Sequence, residues 1–421
     1  MQPARHFAGS VRLPGDKSIS HRYAMLAAIA DGESRLSNFS SGADCASTLA
    51  CMNSLGAAVS REPDHVTIRG MGKQLRKPSD ALDCGNSGST MRMLSGILAG
   101  QCFATTLIGD ASLSRRPMKR IIDPLERMGA RVESQDGHAP IVVHGGPLRA
   151  VEYHTPVASA QVKSCVLLAG LYADGETHVE EPLRTRDHTE LALRAFGVDL
   201  QRSKNRVSVI GGQPLHAIEA TIPGDISTSA FFLCAAALFP ESNLVIDALL
   251  MNPTRAQLLD VMITLGTRIS ILDVQSHHEE VVGTVQAKGG ALKGLSISGA
   301  LSSALIDELP VLAAIAPFTN DGIEIRDARE LRVKESDRIS AVAQNLRAMG
   351  ARVEEFDDGL RVPGKQQLHG AEIDSHDDHR IAMAFSVAAL RAQGESVIHG
   401  ADAARISYPE FYDTLNALAQ R

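Results

Sequence analysis

Apolar stretches of helical length, each opening on Ser, Asp or Gly, recur along this chain, and polar–apolar alternation follows most of them. The first runs from Ser18 to Ala30, where Tyr23-Ala24-Met25-Leu26-Ala27-Ala28-Ile29-Ala30 carries almost no polar position. Others open at Gly85-Asn86-Ser87-Gly88-Ser89-Thr90, at Ala158-Ser159-Ala160-Gln161-Val162-Lys163 and at Gly224-Asp225-Ile226-Ser227. The remaining two open near Ser302-Ser303-Ala304-Leu305-Ile306-Asp307 and at Asp377-Asp378-His379-Arg380. A Gly break and an alternating strand come next, as in Asp174-Gly175-Glu176-Thr177-His178-Val179, because period-two alternation marks a half-buried strand.

A second helix follows in each unit and often ends on a shared signature: Ser54-Leu55-Gly56-Ala57, Arg127-Met128-Gly129-Ala130, Ala195-Phe196-Gly197-Val198, Thr264-Leu265-Gly266-Thr267 and Ala348-Met349-Gly350-Ala351. Gly just past the last apolar position is a helix C-cap, since it enters the left-handed conformation without a Cβ penalty. Arg131-Val132-Glu133-Ser134 and Ile141-Val142-Val143 then read as a hairpin. The pattern is an internal repeat of six βαβαββ units, longer than the usual solenoid period. The sixth is cut short, and the opening strand, Phe7 to Leu13, is expected to supply its missing strands. Pro-Gly-Asp at 14–16 and at 223–225 has the composition of a turn suited to a hinge. These crossings predict two domains of three repeats each, 14–223 and 1–13 plus 224–421.

Composition narrows the class. A chain of 421 residues accommodates two or three domains, each large enough for a core. A hydrophobic fraction of 44% without Trp points to an aliphatic interior. The net charge of −7 argues against a nucleic-acid partner, so any anion site must come from local clusters. The six Cys form no CxxC pair and show no zinc-site spacing, so they read as reduced core thiols of a cytoplasmic protein, with no metal. The longest apolar run, Ala230 to Phe239, is about half the ~20 residues of a membrane span. The N-terminus lacks the apolar region of a signal peptide.

The chemistry gathers at the helix starts. Leu13-Pro14-Gly15-Asp16-Lys17-Ser18-Ile19-Ser20-His21-Arg22 sets two cations and two hydroxyls around a helix N-terminus, whose free N–H groups and dipole already favour an anion. It is no P-loop, because Asp16 separates Gly15 from Lys17. If the starts in each domain point the same way, their positive ends meet in a cleft. The first domain is expected to bring Lys17, Ser18, Arg22, Asn86 to Thr90, Arg92, Ser159, Gln161 and Lys163. The second brings Asp307, Glu308, Lys334, Glu335, Arg338, His379 and Arg380, and Arg116 precedes a helix-starting Pro. Such a set suits two anionic substrates, with a few acids among many cations.

Six segments together resemble the 5-enolpyruvylshikimate-3-phosphate synthase family. Besides residues 13–22, they are Gly-Asn-Ser-Gly-Ser-Thr-Met-Arg at 85–92, Gly-Asp-Ala-Ser-Leu-Ser-Arg-Arg-Pro-Met at 109–118 and Ala-Ser-Ala-Gln-Val-Lys-Ser at 158–164. Leu-Arg-Val-Lys-Glu-Ser-Asp-Arg at 331–338 and Asp-Asp-His-Arg-Ile-Ala-Met at 377–383 complete the set. The resemblance spans essentially the whole chain. It implies an inside-out α/β barrel fold, two domains of three repeats closing on the substrates. It also implies transfer of the enolpyruvyl group of phosphoenolpyruvate to the 5-hydroxyl of shikimate 3-phosphate with release of phosphate, without metal or cofactor, by a cytoplasmic monomer.

By the same resemblance, Lys17, Ser18, Arg22, Ser159, Ala160, Gln161, Arg186, Asp307 and Lys334 hold shikimate 3-phosphate. Lys17, Gly88, Arg116, Gln161, Arg338 and Arg380 hold phosphoenolpyruvate. Asp307 takes the 5-hydroxyl proton and Glu335 protonates the methylene carbon. Two positions depart from the pattern. Ala160 stands where many members carry a second Ser, and Arg186 is expected to supply that phosphate contact. Ile406 stands where some carry a substrate-contacting Lys, with Arg405 beside it. Gly88, at the place where glyphosate-tolerant members carry Ala, implies a glyphosate-sensitive enzyme.

Plainer readings exist for each residue. Asp307 in Ile-Asp-Glu-Leu-Pro is also a natural helix N-cap, and Asp377-Asp378-His379-Arg380 a salt-bridged helix start. A positioned carboxylate is nevertheless what a weakly nucleophilic hydroxyl needs. Glu335 must be neutral to donate, whereas its neighbours Lys334 and Arg338 favour the charged form. A UDP-N-acetylglucosamine enolpyruvyl transferase is the alternative on this fold. Its relatives carry Lys-Asn where this chain has Lys17-Ser18, and usually a loop Cys that is missing from Ser112 to Met118. A non-catalytic anion-binding scaffold would show broken acids or arginines, and all are present.

Overall fold

The computed structural model describes residues 1–63 and 65–421. It divides into two compact units: Gly15–Ile222 with His277–Glu280, and Met1–Pro14 with Pro223–Ser276 and Val281–Arg421. The sequence-based division, 14–223 against 1–13 plus 224–421, lacks one exchange. The four residues His277–Glu280 belong with the first unit, so the chain passes between units four times, not twice.

The unit built on Gly15–Ile222 contains three four-stranded sheets of one pattern. In the first, Glu219–Thr221 pairs parallel with Glu33–Ser37, which is followed antiparallel by His65–Arg69 and Ala58–Arg61. Leu82–Asp83, Ala104–Ile108, His138–His144 and Arg131–Gln135 repeat this order. So do Glu152–His154, Glu176–Glu180, Arg206–Ile210 and Leu200–Ser203. Each sheet turns one face outward, as the alternation of half-exposed Glu176, His178 and Glu180 with buried Thr177 and Val179 shows.

The helices Lys17–Ile29, Gly88–Ala99 and Ala160–Gly170 fill the interior, and nearly every residue after their first turns is buried. That is why these segments carry apolar residues all round instead of along one stripe. Where the second and third approach, a Cβ on Gly96 would lie 2.2 Å from the Cys165 carbonyl oxygen, so only glycine fits.

The other unit repeats the arrangement with less regularity. Leu295–Ile297, Ile323–Ile325, Gly359–Val362 and Glu354–Phe356 form one sheet in the same order. The opening strand, His6–Arg12, does not complete the sixth repeat as expected. It pairs parallel with Asn243–Leu250 and so takes the first-strand place in the fourth repeat, the place Glu219–Thr221 fills in the first. Among the described residues the sixth repeat keeps the pair Glu372–Asp374 and Val397–His399, and the last residues, Ala419–Gln420, form a short strand against His6 and Phe7. Ile226–Ala237, Leu309–Ile315 and His379–Ala389 are this unit's buried helices.

Five cysteines are buried, whereas Cys102 is exposed and so falls outside the expected core thiols. Among the described residues no helix is long and apolar enough to cross a membrane.

Candidate functional site

The helix starts of the first unit carry one cluster. Asp16 caps Lys17–Ile29 by accepting from the Ile19 N–H at 2.9 Å. Lys17 Nζ lies 3.0 Å from Asp44 Oδ2. Arg22, one turn further on and buried, donates from Nη1 to the Ser18 carbonyl oxygen at 2.8 Å and from Nη2 to Ser164 Oγ at 2.8 Å. Its Nε donates to Thr189 Oγ1 at 2.6 Å. Burial pulls the Arg22 guanidinium down to about 10, against the opposing charges of Glu190 and Asp16. Behind it His21 is wholly buried, with Nδ1 2.7 Å from Thr48 Oγ1. Burial, then Lys17 and Arg22, push that imidazole well below its usual value.

The second start, capped by Ser87, places Gly88 between two guanidiniums. A Cβ there would lie 2.8 Å from Arg92 Nη1 and 3.5 Å from Arg116 Nη1. Arg116 is fixed by Asn86 Oδ1 at 2.7 Å. Arg92 donates to Gln161 Oε1 at 2.7 Å, and Gln161 Nε2 donates to Ser89 Oγ at 3.0 Å. Gln161 stands in the first turn of the third helix, just after its cap Ser159 and Ala160. Asn86, Gly88, Ser89, Arg92, Arg116 and Gln161 thus form one contact chain. Ser18, Arg22, Ser164 and Thr189 form a second, and Ala160 accepts the Ser164 hydroxyl at 2.6 Å. Arg186 is half-buried in the turn before His188–Ala195, where its charge adds to the lowering of Arg22.

The second cluster lies within the other unit. Asp307 sits in the turn between Ala300–Ala304 and Leu309–Ile315; it is not a cap, since Glu308 takes the N-cap position and makes no side-chain capping bond. Asp307 Oδ1 lies 3.8 Å from Lys334 Nζ and 3.7 Å from Arg338 Nη1. These are ion-pair distances beyond hydrogen-bond length. Arg380 Nη1 donates to the Asp307 carbonyl oxygen at 2.8 Å. Arg338 is buried and donates from Nη2 to Glu335 Oε2 at 2.6 Å and from Nε to Asp378 Oδ2 at 2.8 Å. Burial disfavours its charge, but Asp378 and Glu335 outweigh that and hold its pKa above the ordinary arginine value. Asp307, Lys334, Glu335, Arg338 and Arg380 therefore meet around one guanidinium or one backbone turn.

Several sequence expectations need correcting. Lys163 is not at the site: it is interior, 2.8 Å from Glu181 Oε2 and 2.9 Å from Glu190 Oε1. Glu308 is also interior, where it accepts from the Ser227 hydroxyl, itself 2.5 Å from Arg255 Nη2. Arg405, named only for lying beside Ile406, is exposed and pairs with Asp402. The reading missed Asp378 as the partner of Arg338 and Ser164 with Thr189 as the clamp on Arg22. An acid just before a helix and a Ser one turn into another are weak signals. Among the described residues, the group able to gather ligand atoms for a metal ion is Glu152, His154 and Glu180, which is exposed and shares no member with either cluster.

Repeat units with arginines gathered at their helix starts define a protein that handles small anions. Comparison makes the assignment specific. Residues 1–415 match the family EPSP synthase (3-phosphoshikimate 1-carboxyvinyltransferase), and the chain belongs to it. It is 64% identical to the 3-phosphoshikimate 1-carboxyvinyltransferase of Koribacter versatilis, covering 100% of this chain and 99% of that protein. It is 52% identical to that of Solibacter usitatus over the same shares. A solved EPSP synthase from Acinetobacter baumannii superposes with a TM-score of 0.89 at 40% identity, covering 100% of this chain and 97% of that one.

Proposed function

We propose that the two clusters serve the one reaction of this family, with the cations of both binding substrate and the acids of the second moving protons. The chain is a carboxyvinyltransferase of the shikimate pathway: it moves the enolpyruvyl group of phosphoenolpyruvate to the 5-hydroxyl of shikimate 3-phosphate and releases phosphate. In our reading Lys17, Ser18, Arg22, Ser159, Ala160, Gln161 and Arg186 hold shikimate 3-phosphate, with Asp307 and Lys334 at its 5-hydroxyl. Lys17, Gly88, Arg116, Gln161, Arg338 and Arg380 hold phosphoenolpyruvate. Arginine suits both carboxylate and phosphate because its planar fork presents paired donors.

Asp307 takes the proton of the 5-hydroxyl as that oxygen bonds to C2 of phosphoenolpyruvate. The double-bond electrons take a proton from Glu335 at C3. The adduct then loses phosphate as the bond from C2 to the phosphate oxygen breaks, and the new methyl group returns a proton to the Glu335 carboxylate as the double bond re-forms. The observation that carries the reading is that both acids meet at one guanidinium, Asp307 3.7 Å from Arg338 and Glu335 2.6 Å from it, with Lys334 3.8 Å from Asp307; Glu335 donates once a bound substrate anion offsets that guanidinium. We further infer a cytoplasmic monomer that glyphosate inhibits at the Gly88 site. Phosphate release from phosphoenolpyruvate with each acceptor tests the reading. Release with shikimate 3-phosphate supports it, and release with UDP-N-acetylglucosamine alone overturns it.

A further inference from the structure

Arg22 is a buried cation whose hydrogen bonds all end on uncharged oxygens: Thr189 Oγ1, the Ser18 carbonyl and Ser164 Oγ. Among the described residues no carboxylate pairs with it. Yet carboxylates are close, and Glu190 is the strongest of the charges that oppose the fall in its pKa. A buried guanidinium beside a buried carboxylate would normally close into a bidentate pair.

Lys163 competes for that carboxylate, holding Glu190 by Oε1 while Oε2 stays buried without a hydrogen-bond partner among the described residues. Its ammonium lies 2.8 Å from Glu181 and 2.9 Å from Glu190, and all three side chains are 2% exposed. The residues interleave. Ser164 and Thr189 hold Arg22, while their chain neighbours Lys163 and Glu190 hold each other. Successive helix positions point about 100° apart, so each helix offers a hydroxyl to the arginine and a charge to the interior. Glu181 also accepts from the Thr185 hydroxyl at 2.5 Å and the Thr185 N–H at 3.3 Å, which ties the triad to the turn that bears Arg186.

We infer that Lys163 is a positioning residue for the shikimate 3-phosphate site: by drawing Glu190 and Glu181 to itself it leaves the Arg22 guanidinium open to an anionic substrate. This rests on the reading that Arg22 binds that substrate. The triad carries one positive and two negative charges, a net −1. Lys163→Met leaves −2, Glu190→Gln leaves 0, and the double variant returns to −1.

Calorimetric titration of the full chain with shikimate 3-phosphate, at mildly alkaline pH, separates this from a packing role. Lys163→Met should weaken binding by about tenfold or more, the scale of a broken buried charge pair. Glu190→Gln should bind at least as well as wild type. The double variant should recover to within about threefold of wild type, because coupled charges are not additive. In turnover, KM for shikimate 3-phosphate should rise in Lys163→Met while kcat and KM for phosphoenolpyruvate hold. A double variant as weak as Lys163→Met overturns the inference, as does wild-type binding by Lys163→Met. If Lys163→Met does not fold, Glu190→Gln and the double variant still decide: weakened binding in either overturns it. Wild type that fails to bind shikimate 3-phosphate would instead overturn the underlying reading.

Discussion

Asp378 grips Arg338 with both carboxylate oxygens: Oδ2 accepts from Nε at 2.8 Å and Oδ1 from Nη2 at 3.2 Å, with both side chains buried. The same Oδ1 accepts from the Arg380 N–H at 2.9 Å, so one carboxylate caps a helix and aims an arginine. Asp378→Asn removes the charge and leaves Arg338 buried beside Glu335 and Asp307. Breaking a buried pair from one side costs about 3–5 kcal/mol. Urea unfolding should show a loss of that size, and KM for phosphoenolpyruvate should rise. An unchanged midpoint would remove the pair from the account. Burial raises the Asp378 carboxyl, but Arg338 outweighs it and the net shift is below the ordinary value of 3.8. Its stabilisation is therefore present above that value and disappears as pH falls through the lower folded one.

Asp307 and Glu335 differ in what holds them, and their variants should differ accordingly. Asp307→Asn should lower kcat about 10²–10⁴-fold, the usual range for a lost general base, while shikimate 3-phosphate binding changes little. Glu335→Gln should lower kcat on the same scale and also loosen Arg338, raising KM for phosphoenolpyruvate. Steady-state kinetics of both variants check this, and near-normal kcat in either removes that residue from the proton steps.

At Gly88 a methyl group would meet Arg92 Nη1 at 2.8 Å, and that nitrogen holds Gln161. Gly88→Ala should therefore raise KM for phosphoenolpyruvate modestly, through a shifted Arg92. It should raise the inhibition constant for glyphosate, a longer molecule, by a larger factor. Equal changes in the two constants would contradict the idea.

His21 supplies a pH signature unrelated to turnover. Its folded pKa lies below 6.5, so as pH falls the unfolded chain takes up the proton first. Stability present above pH 6.5 is then lost toward the lower folded pKa, with a slope of up to about 1.4 kcal/mol per pH unit. His21→Gln should flatten the stability profile below pH 6.5, measured by denaturant midpoints. A profile with the wild-type slope would show that another group sets it.

Much of this architecture is legible in the residues. Gly56, Gly129, Gly197, Gly266 and Gly350 all adopt positive φ where the helices end, and Ser87, Ser159, Asp225 and Asp378 cap the helices they were read as opening. Strand placement over long range was less accessible. Nothing local in His6–Arg12 distinguishes the fourth sheet from the sixth, because the strand buries only Phe7 and is otherwise half-exposed or exposed. The exchange at His277–Glu280 depends on Glu280 pairing with His188 at 2.6 Å, a contact 92 residues apart in sequence. In the two clusters, residue type named the cations but not the groups packed against them. Lys163 and Glu308 have the charge of site residues, and only tertiary packing turns them inward.

The most direct test is the mass of the product formed from phosphoenolpyruvate and shikimate 3-phosphate in deuterated water. Protonation at C3 followed by loss of a methyl proton predicts an enolpyruvyl ether of shikimate 3-phosphate carrying solvent deuterium in its methylene group, formed with one phosphate released per product. No ether product, or an ether free of deuterium, would contradict the account.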